Sequence, residues 1–154
     1  MNHFTKSTWI GDITIYEKDG KITNLDFGIT NRSDSQLSAT PLIERAFRQL
    51  DDYAHSRRKA FKLDLFQSGT EFEKQVWEAL LVIPYGQTIT YQALAASIGR
   101  PKAYRAVGTA LGKNHIPIII PCHRVLGKSP YSGGYGGGLP IKQALLALES
   151  NNLN

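Results

Sequence analysis

Pro121-Cys122-His123-Arg124-Val125 is the stretch from which the fold and function of this chain are best worked out, and an apolar run at positions 116–120 leads directly into it. It contains the only cysteine of the chain, followed at once by a histidine. Because an ordinary cysteine is only about 3% thiolate at neutral pH, it needs a neighbouring base to act as a nucleophile. The alternative is a buried structural cysteine, which is a common role for a lone one.

The composition indicates a folded protein of one ordinary domain or two small ones. The chain has 154 residues, of which 42% are hydrophobic and 20% charged, so it can bury a core. Eighteen Lys and Arg against 13 Asp and Glu give a net charge of +5. This surplus suits a polyanionic partner, although it is too small to identify one.

Several classes of protein are disfavoured by the residues that the sequence lacks. A single cysteine cannot form an internal disulfide, and a persisting free thiol fits a reducing compartment. A zinc site is not indicated, because there is no second cysteine and His3, His55 and His115 are scattered. No segment resembles a signal peptide or reaches membrane-spanning length. We therefore expect a soluble cytoplasmic protein with no metal, no cofactor and no membrane partner.

The first part of the chain, residues 1–66, is predicted to be a small α/β support domain. Alternating apolar residues predict strands, and Asp19-Gly20 is a strong two-residue hairpin signal. The predicted elements are strands at 8–16, 21–27 and 61–66, a polar loop at 33–40 and a helix that begins at Pro41.

The second part, residues 67–154, has a helical pattern. Thr70 and Glu73 form a capping box at the start of a helix that runs to about Ile83. A second helix capped by Thr90 and a third from Pro101 to about Leu111 are joined by a glycine-containing turn, which is a helix-turn-helix signature. The third helix is rich in small residues, which permit close approach either to a DNA groove or to another helix.

These motifs together resemble the O6-alkylguanine-DNA alkyltransferases, also called methylated-DNA–protein-cysteine methyltransferases. The resemblance covers the C-terminal half, and the spacing of its motifs is preserved. They are Ile-Pro-Cys-His-Arg-Val ending at Val125, Pro84-Tyr85-Gly86, residues 90–95, Arg105-Ala106-Val107-Gly108, Asn114, Gly134-Tyr135-Gly136-Gly137-Gly138-Leu139 and Glu149. The family implies an α+β fold, with a small ribonuclease H-like α/β domain at 1–66. A winged-helix-like domain carrying the helix-turn-helix, for DNA binding and alkyl acceptance, follows at 67–154.

The resemblance also implies the chemistry. The family moves the alkyl group of O6-alkylguanine, and of O4-alkylthymine, from DNA to the cysteine, here Cys122, once per protein molecule. His123 is implied as the base that deprotonates the thiol through a water, with Glu149 holding the imidazole. Asn114 would join this network or fix the turn, and Tyr91 would donate to the departing guanine. Taken singly, each could be a surface histidine, a helix-end charge, a helix cap or a core aromatic residue.

Recognition of DNA is implied in the same way. The partner is double-stranded DNA bound through its minor groove, with the damaged base flipped out and the protein acting as a monomer. Arg105 would fill the space left by the flipped base, and neighbouring positions would contact DNA or line the guanine pocket. These positions are Thr90, Tyr104, Ala106, Gly108, Val125, Tyr135 and Gly136.

Two residues depart from the family pattern. Tyr104 is larger than the small residue often found before the arginine, and Gly136 replaces a serine or alanine. The glycine run 133–138 leaves few side chains in the pocket, so we hypothesise tolerance of bulky O6 adducts. Two other function classes are a lesion-binding protein without transfer, against which Cys122 argues, and a cysteine hydrolase, for which no oxyanion-hole motif is recognisable.

Overall fold

The computed structural model describes residues 1–127 and 135–152, and the chain divides into two compact units, Met1–Gln67 and Ser68–Asn154. The first contains a four-stranded sheet, and the second contains most of the helices. The predicted α+β class is confirmed.

The first unit is a four-stranded sheet covered by one helix. Its strands are β1 Asn2–Thr8, β2 Gly11–Lys18, β3 Lys21–Phe27 and β4 Gln36–Leu37, in the order β3-β2-β1-β4. Neighbours are antiparallel except β4, which runs parallel to β1. Asp19 and Gly20 turn between β2 and β3 with φ of 52° and 77°, as a tight hairpin of this kind requires, so the predicted hairpin is confirmed.

Helix α1, Pro41–Ala54, supplies the apolar face that closes this core. It begins where predicted, with the Thr40 hydroxyl accepting a hydrogen bond from the Ile43 amide at 3.2 Å. Its buried positions recur at helical spacing and pack with apolar residues of β2 and β3. They are Ile43, Ala46, Phe47, Leu50 and Tyr53.

Three details of the predicted first unit are wrong. The strand predicted at 8–16 begins only at Gly11, because Trp9 and Ile10 form a turn after β1, a strand whose polar sequence gives no apolar alternation. The polar loop contains β4, which pairs with β1 through backbone groups and through a hydrogen bond from the Gln36 side chain to Asn2 Oδ1 at 2.9 Å. Residues 61–66 form no strand; Leu65 makes an isolated bridge to Ile22.

The second unit contains four helices and one short pair of parallel strands among its described residues. The helices are α2 Glu71–Leu81, α3 Tyr91–Ser97, α4 Tyr104–Gly112 and α5 Leu139–Asn151, and the strands are β5 Ile89–Thr90 and β6 Val125–Leu126. The capping box of Thr70 and Glu73 is formed in both directions, at 3.1 and 2.8 Å, and Thr90 caps α3 as predicted. Helix α4 begins at Tyr104 rather than at Pro101, because Pro101 and Lys102 form a turn.

Packing within this unit places the cysteine segment beside α3. Ile89 pairs with Val125 and Thr90 with Leu126, so the residues after Cys122 run next to the start of α3. Helices α2 and α4 are held together by the Trp77 indole, which donates to the Ala110 carbonyl at 3.0 Å. Across the described residues, no helix is long and apolar enough to cross a bilayer.

Candidate active site around Cys122

The backbone before Cys122 is bent by two tight turns. Ile118 has φ of +71°, which is rare for a β-branched residue, and the amide of Ile119 donates to the carbonyl of Pro117 at 2.9 Å. Pro121, with φ −80° and ψ 65°, forms a second three-residue turn, in which the Cys122 amide donates to the Ile120 carbonyl at 2.8 Å. The apolar run is thus a folded support that presents Cys122 at the start of a single 3₁₀ turn, Cys122–Arg124.

Asn114 holds this support together. Its side-chain amide donates to the Ile120 carbonyl at 3.0 Å, and its side-chain oxygen accepts from the Ile116 amide at 3.0 Å. It also hydrogen-bonds the Cys122 thiol, which favours the thiolate. Asn114 therefore both fixes the turn and contacts the nucleophile, whereas the cap of α4 is Lys113.

A buried ionic network lies behind the cysteine. Glu149 on α5 is 1% exposed, and its Oε2 lies 2.7 Å from Nε2 of His123, which is fully buried. Arg124 donates from Nε to Oε1 at 2.8 Å and from Nη2 to Oε2 at 3.0 Å. The Gly86 amide donates to Oε1 at 3.0 Å, and Arg124 Nη1 donates to the Ile83 carbonyl at 2.7 Å. Both oxygens of the buried carboxylate are therefore satisfied, as a buried charge requires.

This geometry fixes the form of the His123 ring. A carboxylate can only accept, so Nε2 carries the proton and Nδ1 keeps the lone pair. Burial lowers the pKa of His123 below its ordinary value, and this outweighs the opposite effect of the hydrogen bond that the ring donates to Glu149. His123 is therefore neutral at neutral pH. Its buried Nδ1, which has no hydrogen-bond partner among the described residues, can accept a proton.

Competing influences act on the Cys122 thiol. Burial raises its pKa, while the Asn114 hydrogen bond, a backbone hydrogen bond and the positive charge of Lys142 lower it. Because burial dominates, the resting thiol is protonated at neutral pH, and its activation requires a base.

Sequence reasoning missed two members of this site, Arg124 and Lys142. Lys142 is 1% exposed, and its ammonium donates to the Val125 carbonyl at 3.0 Å. A signal was present in the sequence: Lys142, Leu145 and Glu149 fall at helical spacing, so the lysine shares its face with an apolar residue and the predicted glutamate. Arg124 stood within the quoted motif without an assigned role.

Tyr91, Gly108 and Val125 are brought to the same region. The charge of a Cys122 thiolate would raise the pKa of Tyr91 further, an effect second to that of burial, so the two side chains are close. A Cβ on Gly108 would lie 3.8 Å from the Tyr91 ring, an ordinary van der Waals distance, so α4 lies beside Tyr91 at this position. Val125 is fully buried, and Thr90 caps α3 with its hydroxyl, 3.0 Å from the Ala93 amide.

The remaining predicted residues lie on exposed surfaces. Tyr104, Arg105 and Ala106 form the exposed start of α4, whereas Val107 and Ala110 form its buried face. The Arg105 side chain makes no hydrogen bond or ion pair with any described residue. Tyr135 is half-buried, and Gly136 is exposed, with nothing within 4 Å of a Cβ placed on it. Gly133 and Gly134 of the predicted pocket loop lie outside the described residues.

Comparisons with known proteins identify the family to which the chain belongs. The family described as 6-O-methylguanine DNA methyltransferase, DNA binding domain, matches residues 71–151. The chain is 44% identical to the methylated-DNA–protein-cysteine methyltransferase of Methanosarcina barkeri, over 94% of each chain. It is 40% identical to the constitutive enzyme of Bacillus subtilis, over 97% of this chain and 96% of the relative.

Solved structures extend the likeness to three dimensions. A crystal structure of Mycobacterium tuberculosis OGT in complex with DNA superposes with a TM-score of 0.91 at 41% identity, covering 99% of this chain and 94% of that one. The match spans both units, including the N-terminal sheet, where the sequence carried no family motif. The chain therefore belongs to the methylated-DNA–protein-cysteine methyltransferase family.

Proposed function

We propose that this protein repairs DNA by direct reversal, moving the alkyl group of O6-alkylguanine irreversibly to Cys122. The observation that carries the proposal is the single cysteine held by Asn114, next in sequence to a neutral buried histidine that is bound to Glu149. Family membership supports the same reaction. O4-alkylthymine is proposed as a second substrate, because it presents the same alkyl–oxygen bond.

In the proposed reaction, His123 Nδ1 takes the thiol proton through a water, and the Cys122 sulfur attacks the alkyl carbon in line with the bond to O6. The sulfur–carbon bond forms as the carbon–oxygen bond breaks, and the electron pair leaves with guanine. Tyr91 donates a hydrogen bond to the purine as this charge develops, and the proton finally resides on guanine. The thioether has no good leaving group, so the protein acts once.

For DNA, we propose that the exposed start of α4 enters the minor groove and that Arg105 occupies the space of the flipped base. An exposed arginine without a partner among the described residues is free for this role, whereas Glu149 and Arg124 are committed to each other. Thr90, Ala106, Gly108 and Tyr104 would line the DNA surface, with Val125, Tyr135 and Gly136 around the guanine. The protein would act as a monomer in the cytoplasm, where a free thiol persists.

The stoichiometry of transfer tests the reaction. With excess DNA carrying labelled O6-methylguanine, transfer should stop at about one alkyl group per chain, because the thioether cannot turn over. Peptide mapping should locate the label on Cys122. Cys122→Ser should abolish transfer and keep DNA binding, since a hydroxyl is a far poorer nucleophile. Repair that continues well beyond one equivalent would exclude the single-turnover mechanism.

A further inference from the structure

A basic cleft in the first unit is not used by the proposed reaction. It has a volume of about 790 Å³ and lies between the end of β1, the turn that follows it and one side of α1. We define the basic cleft by four cationic residues and one aromatic residue of its lining: Lys6, Trp9, Arg45, Arg48 and Arg58.

The net charge of the first unit does not account for the four cations gathered in the basic cleft. Residues 1–67 contain ten Lys and Arg against nine Asp and Glu, so the unit as a whole is nearly neutral. Two acidic residues also line the cleft, Asp51 and Asp52, and both are paired with Arg57 at 3.4 and 3.3 Å. Arg57 itself does not line the cleft. The four cations of the lining outnumber its two carboxylates, so the cleft has a positive surplus.

Two cations of the basic cleft are open to a ligand, whereas the Lys6 ammonium already lies 5.5 Å from the centre of the Phe47 ring. Arg45 and Arg48 are exposed on α1 and have no hydrogen bond or ion pair with any described residue. Three residues apart on a helix, their Cβ atoms are about 5–6 Å from each other, so the two guanidinium groups can bind neighbouring phosphates. Arg58 is partly committed, because its Nη1 donates to the Ala60 carbonyl at 2.9 Å, and only its buried Nε lacks a hydrogen-bond partner among the described residues.

Trp9 gives the cleft a second kind of contact. It stands in the turn after β1, 41% exposed, with its ring 6.0 Å from that of buried Tyr53 and inclined by 54°. Tyr53 packs against the Trp9 ring from one side. Its free surface borders the cationic cleft.

We propose that the basic cleft binds single-stranded nucleic acid, with Arg45 and Arg48 on successive phosphates and Trp9 stacked on an unpaired base. Cationic side chains that follow a backbone, combined with an aromatic surface for bases, are the combination by which proteins bind single strands. An acidic protein segment would use the cations but not the tryptophan. The proposal rests on the DNA-repair function only in the choice of nucleic acid as the polyanion.

The test uses the full chain and an oligothymidylate of about eight residues, within the usual site size. The other tryptophan, Trp77, is only 4% exposed, so the oligonucleotide should quench mainly the fluorescence of Trp9. Quenching that is seen in the wild type but is lost in Trp9→Phe therefore reports binding in the cleft. In a competition assay against a labelled oligothymidylate, Trp9→Ala should weaken the affinity for the oligonucleotide about 5- to 100-fold, the usual cost of losing one stacked base. Equal quenching of wild type and Trp9→Phe would overturn the proposal.

Salt dependence tests the arginines. Arg45→Ala with Arg48→Ala should abolish most Trp9-dependent quenching and lower the slope of log affinity against log salt by about 1.4, or 0.7 for each phosphate contact on a single strand. The matched control is Lys18→Ala with Lys21→Ala, which removes the same charge from exposed positions at the far end of the hairpin. An equal loss in the control pair, or equal competition by poly-L-glutamate, would exclude a nucleic-acid site.

Alkyl transfer separates this proposal from the repair function. Transfer from free O6-alkylguanine base to Cys122 should be unchanged in all the cleft variants, because the base needs no DNA contact. A loss of that transfer in the cleft variants would show a disturbed fold and overturn the separate site. If the wild type itself transferred no alkyl group, the proposed repair function would be rejected. The quenching of Trp9 would still test whether the basic cleft binds single-stranded nucleic acid.

Discussion

Two regions of the second unit differ in how their charged side chains are placed: one is buried and paired, and the other is exposed and, among the described residues, unpaired. Behind Cys122, Glu149 is buried and accepts hydrogen bonds from His123, Arg124 and the Gly86 amide. At the start of α4, Arg105 is exposed and pairs with no described residue. The carboxylate of the first region is fully hydrogen-bonded within the protein, whereas the guanidinium of the second has no partner among the described residues.

This difference separates chemistry from recognition. A buried network without an unsatisfied carboxylate oxygen holds the imidazole in one tautomer. In the proposed mechanism this would serve the reacting cysteine whatever the substrate. An unpaired arginine on a helix with small neighbours serves only when a partner arrives. Substitutions in the first region should therefore affect folding and every substrate, and those in the second should affect only DNA.

The largest effect is expected from Glu149→Gln. Removing this charge leaves Arg124 buried without its ion-pair partner, and breaking a buried pair in this way costs about 3–5 kcal/mol of unfolding free energy. Urea denaturation measures the loss, and Glu78→Gln, on the exposed side of α2, is the control. A loss below about 1 kcal/mol would mean that the network does not stabilise the fold.

A smaller and more selective effect is expected from Arg105→Ala. Repair of O6-methylguanine in duplex DNA should slow about 10- to 100-fold, because no side chain then offsets the few kcal/mol of unstacking. Reaction with the free base should not change, since it needs no flipping. Lys102→Ala, an exposed cation in the turn before α4, is the control for charge. Equal losses on both substrates would assign Arg105 to structure or chemistry.

The sequence predicts some members of the buried region around Cys122 but not others. Cys122, His123 and Glu149 were predicted as a group from the resemblance to the alkyltransferase family, and the structure places His123 against Glu149. Lys142 was missed, because a lysine in a helix is normally exposed and its burial depends on a carbonyl seventeen residues away. Such pairings arise only when segments distant in sequence meet.

The same reasoning explains the errors in secondary structure. Strand β1 has no apolar alternation, yet it lies between β2 and β4, so its backbone pairing rather than its side chains makes it a strand. The start of α4 was placed three residues early because proline is common at the first turn of helices, but here it belongs to the preceding turn.

Lys142→Met tests whether the buried region also tunes the nucleophile. Its positive charge lowers the pKa of Cys122, so its removal should raise that pKa and slow iodoacetamide modification severalfold at neutral pH. Thiolate absorbance against pH gives the direction of the shift directly. Methionine keeps most of the side-chain volume, and Lys74→Met on the exposed face of α2 is the control. An unchanged or lower pKa of Cys122 in this variant would mean that Lys142 does not tune the thiol and contributes only its hydrogen bond to the Val125 carbonyl.

The smallest effect is expected from Gly136→Ser, at the predicted edge of the guanine pocket. A Cβ there would meet nothing within 4 Å, so serine should fit without strain, and the fold and methyl transfer should be unaffected. What serine removes is backbone freedom, and the loss matters most when the loop must rearrange around a large group. Benzyl transfer should therefore fall a few-fold while methyl transfer stays constant, with both second-order rates measured in each protein. Gly112→Ser, also in open space but at the end of α4, is the control. If the benzyl-to-methyl ratio stays constant, Gly136 does not set the size of the adduct, and any tolerance of bulky groups must come from other residues around Cys122.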